Sequence, residues 1–178
     1  MPKDTPIPFE ITRILIPSGN YYKGRDRWQP DMIVIHATEG GRASVIQTFK
    51  TPVPPKSTHF MVCKTGEIVQ FVATVDTAFG NGIQVNPTDP TVVARNKMPD
   101  SNPNLYTISI EHELLVDEVP TDAQYAASAA LIRFLGTKWG IPLDTRHVIP
   151  HHAIDAAKTC PNNVDIAHLL TLAAGQCA

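Results

Sequence analysis

The stretch Met32-Ile33-Val34-Ile35-His36 is the starting point for predicting this fold. Its first four residues are apolar, and three of them are β-branched. Such a nearly continuous run is typical of a short strand that is buried on both faces. A strand of this kind needs a covering layer on each side, so it predicts a sheet with helices packed on it. His36 then lies where the strand ends.

The segments after this strand predict the rest of the sheet. Arg42–Lys50 carries apolar residues on one helical face and stops before Pro52. Residues 58–63 and 67–73 are strand-like runs joined by a short loop that contains glycine, so we predict a hairpin. Residues 107–111 alternate polar and apolar side chains, which predicts a strand with one apolar face. The fold class is therefore α/β, a single domain with a central mixed β-sheet flanked by α-helices.

The C-terminal half predicts two further helices. Thr121 and Gln124 form a capping-box pattern, and apolar residues then recur at helical spacing as far as Trp139. Gly140 marks the end of this helix. Residues 164–174 show the same helical spacing.

Two regions lack such periodicity. Residues 1–30 contain five prolines and one short apolar run, so we predict an N-terminal arm with one edge strand. We expect this arm to belong to the same domain as residues 31–178, which hold every candidate catalytic residue. Residues 80–104 are rich in glycine and proline, which predicts a long loop without a helix or a central strand. Long loops in compact domains are usually functional or mobile.

The composition limits the classes of function. The chain has 178 residues, 43% hydrophobic and 18% charged, which suits one domain with a buried core. A net charge of −2 provides no basic excess for binding nucleic acid. No apolar stretch is long enough to span a membrane, and residues 1–10 do not resemble a signal peptide. We therefore expect a soluble monomer that stays in the cytoplasm unless another factor releases it.

The three cysteines are too widely spaced to suggest a disulfide framework. We interpret Cys63, in an apolar strand, as a buried small hydrophobic residue and Cys177 as a free thiol near the chain end. Cys160 differs, because it closes a His-x6-Lys-x-Cys-Pro run that begins at His151 and contains Lys158. A thiol near histidines in a cytoplasmic protein favours a metal ligand or a nucleophile over half of a disulfide.

Two histidines and this thiol predict a zinc site. His36, His151 and Cys160 supply three ligands and leave a fourth position open, as catalytic zinc requires. A carboxylate beside such a site can act as general base, and Glu111 stands near the end of its strand. Lys158 can bring its ammonium group to the oxygen that becomes negative in a tetrahedral state. These residue types together favour a zinc hydrolase.

Three roles stay open at this point. His152 competes with His151 as a ligand, because neighbouring side chains on a strand point in opposite directions. Glu113 shares a strand face with Glu111 and is a rival base. His59 either orients a metal ligand without binding the metal itself, or it forms hydrogen bonds with polar groups at the end of the sheet.

Four segments, in the same order along the chain, resemble the type 2 class of zinc N-acetylmuramoyl-L-alanine amidases. This family shares its fold with the peptidoglycan recognition proteins and includes phage enzymes. The segments are Met32-Ile33-Val34-Ile35-His36-Ala37-Thr38, Ser57-Thr58-His59-Phe60 through Gly66-Glu67-Ile68-Val69-Gln70, Asn104-Leu105-Tyr106-Thr107-Ile108-Ser109-Ile110-Glu111, and Pro150-His151-His152 to Lys158-Thr159-Cys160-Pro161. The resemblance extends over residues 31–165.

The resemblance implies that His36, His151 and Cys160 bind Zn²⁺, that Glu111 is the base and that Lys158 stabilises the oxyanion. The implied reaction is hydrolysis of the amide between the lactyl group of N-acetylmuramic acid and L-alanine of the peptidoglycan stem peptide. Amidases that recycle soluble anhydromuropeptides usually carry aspartate as the third ligand. Cys160 therefore favours a phage or prophage endolysin that acts on the cell wall after release. A non-catalytic peptidoglycan-binding module is the alternative, which the retained ligands disfavour.

The sequence departs from the family pattern at three places. Thr58 stands where many members have tyrosine before the hairpin histidine. Ala78-Phe79-Gly80-Asn81-Gly82 stands where many have Ala-Trp-His-Ala-Gly, which alters the expected substrate contacts. Residues 83–101 are an insertion, and we expect them to wall the groove or to contact a particular stem peptide.

Overall fold

A computed structural model describes residues 8–175 of the protein as a mixed α/β fold. The strands are β1 Thr12–Arg13, β2 Tyr21–Tyr22, β3 Met32–Ala37, β4 Phe60–Val62, β5 Ile68–Gln70, β6 Thr77–Ala78, β7 Thr107–His112 and β8 Val148–Pro150. The α-helices are α1 Arg42–Lys50, α2 Pro90–Asn96, α3 Pro103–Tyr106, α4 Asp122–Trp139, α5 His151–Ile154 and α6 Ile166–Ala173. A short 3-10 helix covers Ser18–Asn20.

Within residues 8–175, six strands form the central sheet in the order β1-β5-β4-β7-β3-β8. β3 lies between the parallel strands β7 and β8, and all of its residues are buried, which confirms the strand predicted at residues 32–35. β4 and β5 form the predicted antiparallel hairpin. β1 pairs with β5 at one edge of the sheet, as expected for a strand of the N-terminal segment.

Helices cover both faces of this sheet, as the fold class predicts. Ile33 and Ile35 belong to a core shared with α4 and α6. Met32 and Val34 point the other way and pack in a second cluster with Val92 of α2. α1 covers the same face beside the hairpin. The alternation follows from the two-residue period of a strand.

The register of the parallel strands brings several functional side chains to one edge of the sheet. His36 near the end of β3 is paired with Glu111 of β7. Ile35 is paired with Pro150 of β8, and His151 comes directly after that strand. Because the C-terminal ends of parallel strands meet at the same edge, residues far apart in the sequence converge there.

β7 is buried more completely than its alternating sequence predicts. Ile108 and Ile110 form the expected apolar face. Thr107 and Ser109 on the polar face are 0% and 1% exposed. Their face is covered because the ring of His59 accepts a hydrogen bond from the backbone N–H of Ser109, and an asparagine side chain bonds to Thr107.

The predicted helices form with the expected ends. Thr121 and Gln124 make both hydrogen bonds of a capping box at the start of α4. Gly140 ends this helix with φ at 74°, a left-handed conformation that glycine adopts without steric cost. The last helix, α6, lies within the predicted residues 164–174. No helix of the described chain is long and apolar enough to cross a membrane.

The expectation of no helix in residues 80–104 is wrong. α2 begins at Pro90 and α3 begins at Pro103. In the first turn of a helix the backbone N–H groups have no partner within the helix, so proline, which lacks this group, fits there. Asp89 and Asn102 cap these two helices through their side chains. The prolines that argued against a helix interior therefore stand at helix starts.

The insertion at residues 83–101 packs against the sheet. Val92 is 0% exposed, and Arg95 donates to Asp31 at 2.7 Å while it lies 4.5 Å from the ring centre of Tyr106. The backbone N–H groups of residues 88 and 89 both donate to the carbonyl oxygen of Ala153 in α5. The insertion thus supports the helix that carries His151.

Candidate metal centre

Three predicted ligands come together at the sheet edge. His36, His151 and Cys160 each offer one ligand atom, and these atoms lie within 4.8 Å of one another. All three residues are buried, and the two imidazole rings are 4.3 Å apart between centres. His36 lies on β3, His151 is the first residue of α5, and Cys160 lies in the loop after α5.

The electrostatics of the two histidines suit metal binding. Burial, followed by the neighbouring His151, holds the pKa of His36 well below its usual range. Burial and the charge of Lys158 lower the pKa of His151 to about 4. Both rings are therefore neutral near pH 7, and a neutral imidazole has the lone pair that a metal ligand needs.

The surroundings of Cys160 and His151 also suit a bound metal, although the Cys160 sulfur accepts a hydrogen bond from the backbone N–H of Ala37 at 3.1 Å. Burial, and next the charge of Glu111, raise the pKa of the Cys160 thiol to about 12. A metal cation reverses this effect, because it stabilises the thiolate. The Nε2 atom of His151 is buried and has no hydrogen-bond partner among the described residues. Two nitrogen donors and one sulfur donor form the kind of set that zinc prefers, so the residues present fit a zinc ion.

Glu111 lies beside the three ligands. It lines a cleft of about 300 Å³ together with His36, His151 and Cys160. Its Oε2 atom is buried without a hydrogen-bond partner in the described chain. Burial, and to a lesser extent the charge of Glu39, raise the pKa of Glu111 to about 8. The carboxyl group is thus held in the cleft without a structural partner for this oxygen.

Lys158 lies at the rim of the same cleft and is exposed. Its positive charge reaches the cluster, since it helps to lower the pKa of His151 and offsets a small part of the rise in the pKa of Cys160. Lys158 therefore places a positive charge at the edge of the cleft.

The three side chains whose roles the sequence leaves open form hydrogen bonds outside the cluster of ligand residues. His152 is exposed, and its Nδ1 faces the carbonyl oxygen of Cys160 at 3.2 Å. The carboxylate of Glu113 accepts hydrogen bonds from the backbone N–H groups of Arg42 and Lys64, so it joins two loops. His59 is 0% exposed and contacts β7 and a buried arginine, with no bond to the three ligands. These contacts favour structural roles for all three.

The residues at the family departures also have defined positions. The hydroxyl of Thr58 is buried and donates to the carbonyl oxygen of Ser109, so it does not reach the cleft. Asn81, which is not among the residues that the sequence predicts for the site, is 1% exposed and lies 3.1 Å from the ring of His36. Its position between two glycines, in a segment that aligns with the family pattern, is the one sequence feature that marks it. Cys63 is buried as expected, and Cys177 lies outside the described residues.

Glu39 at the rim of the cleft has a strained backbone. Its φ is 52°, and the other non-glycine residues with positive φ in residues 8–175 are aspartate or asparagine, which tolerate this region better. Glu39→Gly is expected to raise the free energy of unfolding by about 1 kcal/mol, because glycine adopts this conformation without steric cost. Urea denaturation measures the change.

Asp100→Gly is the matched control for this prediction, because Asp100 has φ at 57° and aspartate adopts positive φ more readily than glutamate. Its gain should be the smaller of the two. A Glu39→Gly protein that is no more stable than the natural one would contradict the assignment of strain to this residue.

A mixed α/β domain with a buried His/His/Cys cluster beside a glutamate defines a candidate metal-dependent hydrolase. The family model described as N-acetylmuramoyl-L-alanine amidase, Amidase_2, matches residues 26–163. The chain therefore belongs to the Amidase_2 family, and it is an N-acetylmuramoyl-L-alanine amidase that hydrolyses peptidoglycan.

Solved structures share the fold. The chain is similar to a selenomethionine derivative of AmpD, with 24% identity, coverage of 92% of this chain and 94% of that chain, and a TM-score of 0.72. The catalytic domain of XlyA is 26% identical, with coverage of 86% and 90% and a TM-score of 0.62. A mutant endolysin from Bacillus subtilis is 23% identical, with coverage of 85% and 89% and a TM-score of 0.61. Comparison with curated proteins gives no match.

Proposed function

We propose that this amidase uses a zinc ion held by His36, His151 and Cys160 to cleave the bond between the lactyl group of N-acetylmuramic acid and L-alanine. The observation that carries the proposal is the convergence of their three ligand atoms within 4.8 Å, in a cleft that Glu111 also lines. When bound, zinc supplies Lewis-acid polarisation of the scissile carbonyl.

Glu111 and Lys158 then have distinct roles. The positive charge of a bound zinc ion would lower the raised pKa of Glu111 and favour its ionised form. The Glu111 carboxylate then accepts the proton of the attacking water and returns it to the nitrogen of L-alanine as the amide bond breaks. Its buried, unpartnered Oε2 atom supports this role, because no protein group competes for it within the described residues. The exposed ammonium group of Lys158 stabilises the negative charge that develops on the carbonyl oxygen.

We further propose that the protein is an endolysin that acts on the intact cell wall, and that residues 1–30 form one domain with residues 31–178. Cys160 supports the first part, since recycling amidases usually carry aspartate as the third ligand. Pairing of β1 with β5 supports the second, because the N-terminal segment adds a strand to the central sheet. We expect a monomer that needs no nucleic acid or membrane partner.

A peptidoglycan digest analysed by mass spectrometry tests the proposed function. Purified, intact peptidoglycan and soluble anhydromuropeptides are incubated in parallel with the protein, with a chelator, and with the chelator followed by excess zinc. We expect stem peptides with a free L-alanine amine from the intact wall, loss of this product with chelator, and recovery with zinc.

Each other outcome is informative. Cleavage that persists after complete metal removal would contradict the zinc site. Cleavage of soluble muropeptides alone would replace the endolysin role with recycling. If the metal-free protein is active and a thiol-alkylating reagent then inactivates it, the result would indicate Cys160 as a nucleophile.

A further inference from the structure

Asn81 lies behind one proposed ligand, in the segment between β6 and the insertion. Its side chain is buried, and its Oδ1 atom is 3.1 Å from Nε2 of His36. The two residues are 45 positions apart in the sequence. A buried amide in contact with an imidazole selects which ring nitrogen carries the proton, provided that the amide itself has a fixed orientation.

Thr107 fixes that orientation. Its hydroxyl donates to the carbonyl oxygen of Pro103 at 2.7 Å, and a carbonyl oxygen can only accept. The hydroxyl has a single proton, so it must accept its second bond, which comes from Nδ2 of Asn81 at 2.7 Å. The amide nitrogen therefore points to Thr107, and the amide oxygen points to His36.

The backbone of Asn81 is held as firmly as its side chain. Oδ1 of Asn104 accepts from the N–H groups of Gly80 and Asn81, at 3.2 and 2.8 Å. Nδ2 of Asn104 donates to the carbonyl oxygen of Gly82 at 2.9 Å. Asn104 in α3 thus holds the backbone on both sides of Asn81, and Thr107 at the start of β7 holds its side chain.

The consequence for His36 follows from donor and acceptor counting. An amide oxygen accepts, so Nε2 of His36 must donate its proton to Asn81. A neutral imidazole has one N–H, which leaves Nδ1 with a free lone pair. Within the described residues Nδ1 of His36 has no hydrogen-bond partner.

We propose that Asn81 is a positioning residue that holds His36 in the Nε2–H tautomer and so presents Nδ1 as the metal-binding atom. Only the use of Nδ1 as a zinc ligand rests on the proposed function. The tautomer itself is a property of the metal-free protein. A hydrogen-bond partner behind a ligating histidine fixes its ring orientation and strengthens metal binding.

The test reads the tautomer directly. Long-range ¹H–¹⁵N NMR of the metal-free protein, at a pH where His36 is neutral, assigns the protonated ring nitrogen. The natural protein is expected to show Nε2–H alone. Asn81→Ala should give a mixture of tautomers, whereas Asn81→Asp keeps an acceptor beside Nε2 and should retain the Nε2–H form. An Nδ1–H form in the natural protein, or an unchanged tautomer in Asn81→Ala, would overturn the proposal.

Zinc affinity is the second readout, measured by competition with a chromogenic chelator. Asn81→Ala is expected to bind zinc about 10–100-fold more weakly. Asn20→Ala is the matched control, because Asn20 is equally buried and donates to the carbonyl oxygens of Phe49 and Thr51, away from the site. It should lose stability but keep the tautomer and the zinc affinity.

Thr107→Val provides a second route if Asn81→Ala does not fold. It removes the hydroxyl that orients the amide, so the tautomer should become mixed while Asn81 is still present. A single Nε2–H tautomer in Thr107→Val would contradict the inference that the Thr107 hydroxyl orients the Asn81 amide. If the tautomers change as expected but the natural protein binds no zinc, the proposed zinc function fails and the positioning of His36 stands.

Discussion

Glu111→Gln is expected to lower kcat on purified peptidoglycan by about 10²–10⁴-fold, the usual contribution of a general base, while zinc stays bound. The substitution keeps the shape of the side chain but replaces the basic carboxylate with an amide, which does not accept a proton from water. Glu111 is not one of the three clustered ligand residues, so metal content should not fall. Initial rates of stem-peptide release and the zinc content of the purified variant measure both effects.

Two control variants separate this role from others. Glu113→Gln should keep nearly natural kcat, since that carboxylate is occupied by the backbone of Arg42 and Lys64. Cys160→Ser should lose activity together with zinc, because it removes a ligand. Natural activity in Glu111→Gln would remove Glu111 from the role of base, and an unchanged zinc content in Cys160→Ser would remove Cys160 from the ligand set.

Arg25→Met is expected to lower the free energy of unfolding by about 3–5 kcal/mol, because several buried backbone carbonyl oxygens lose their hydrogen-bond donor. Arg25 is 5% exposed, and its guanidinium group donates to four backbone carbonyl oxygens, those of Thr74, Asn104, Leu105 and Thr107. Burial lowers its pKa to about 10, so it remains charged at pH 7. Methionine fills the space but leaves those carbonyl oxygens without their donor.

Arg27→Met is the matched control, two positions away. Arg27 is exposed, and within residues 8–175 it donates only to the carbonyl oxygen of Pro99, so its replacement should change stability by less than about 1 kcal/mol. Urea denaturation of both variants and the natural protein at the same pH, near 7, gives the comparison. Equal losses in the two variants would contradict a special structural role for Arg25.

The sequence predicted those elements whose signals are local. The apolar run at residues 32–35, the capping box at Thr121 and the glycine at 140 each act through neighbouring backbone, and each has the expected structure. The helices α2 and α3 were missed although their signals are also local. Asp89 and Asn102 precede prolines that start a helix, but the same prolines also raise the proline density of the region, which is typical of a loop.

The residues of the candidate site also fall into two groups, those predictable from the sequence and those whose role depends on contacts in the folded chain. His36, Glu111, His151, Lys158 and Cys160 were predictable because imidazole, carboxylate, ammonium and thiol groups are rare and carry chemistry at strand ends. The tertiary structure brings the three ligand atoms within 4.8 Å. The sequence alone left Glu113 and His152 as rivals, since their type and spacing are equally suitable, and only their hydrogen bonds separate them from the cleft.

The fold class, the family resemblance and the set of chemically capable side chains can therefore be predicted from the sequence. How those side chains are held depends on contacts that form when the chain folds. Asn81 contacts a histidine 45 positions away, and Arg25 bonds to carbonyl oxygens up to 82 positions away. Every residue has a backbone carbonyl, so such an acceptor leaves no mark in the sequence, and its partner is known only when the chain is folded.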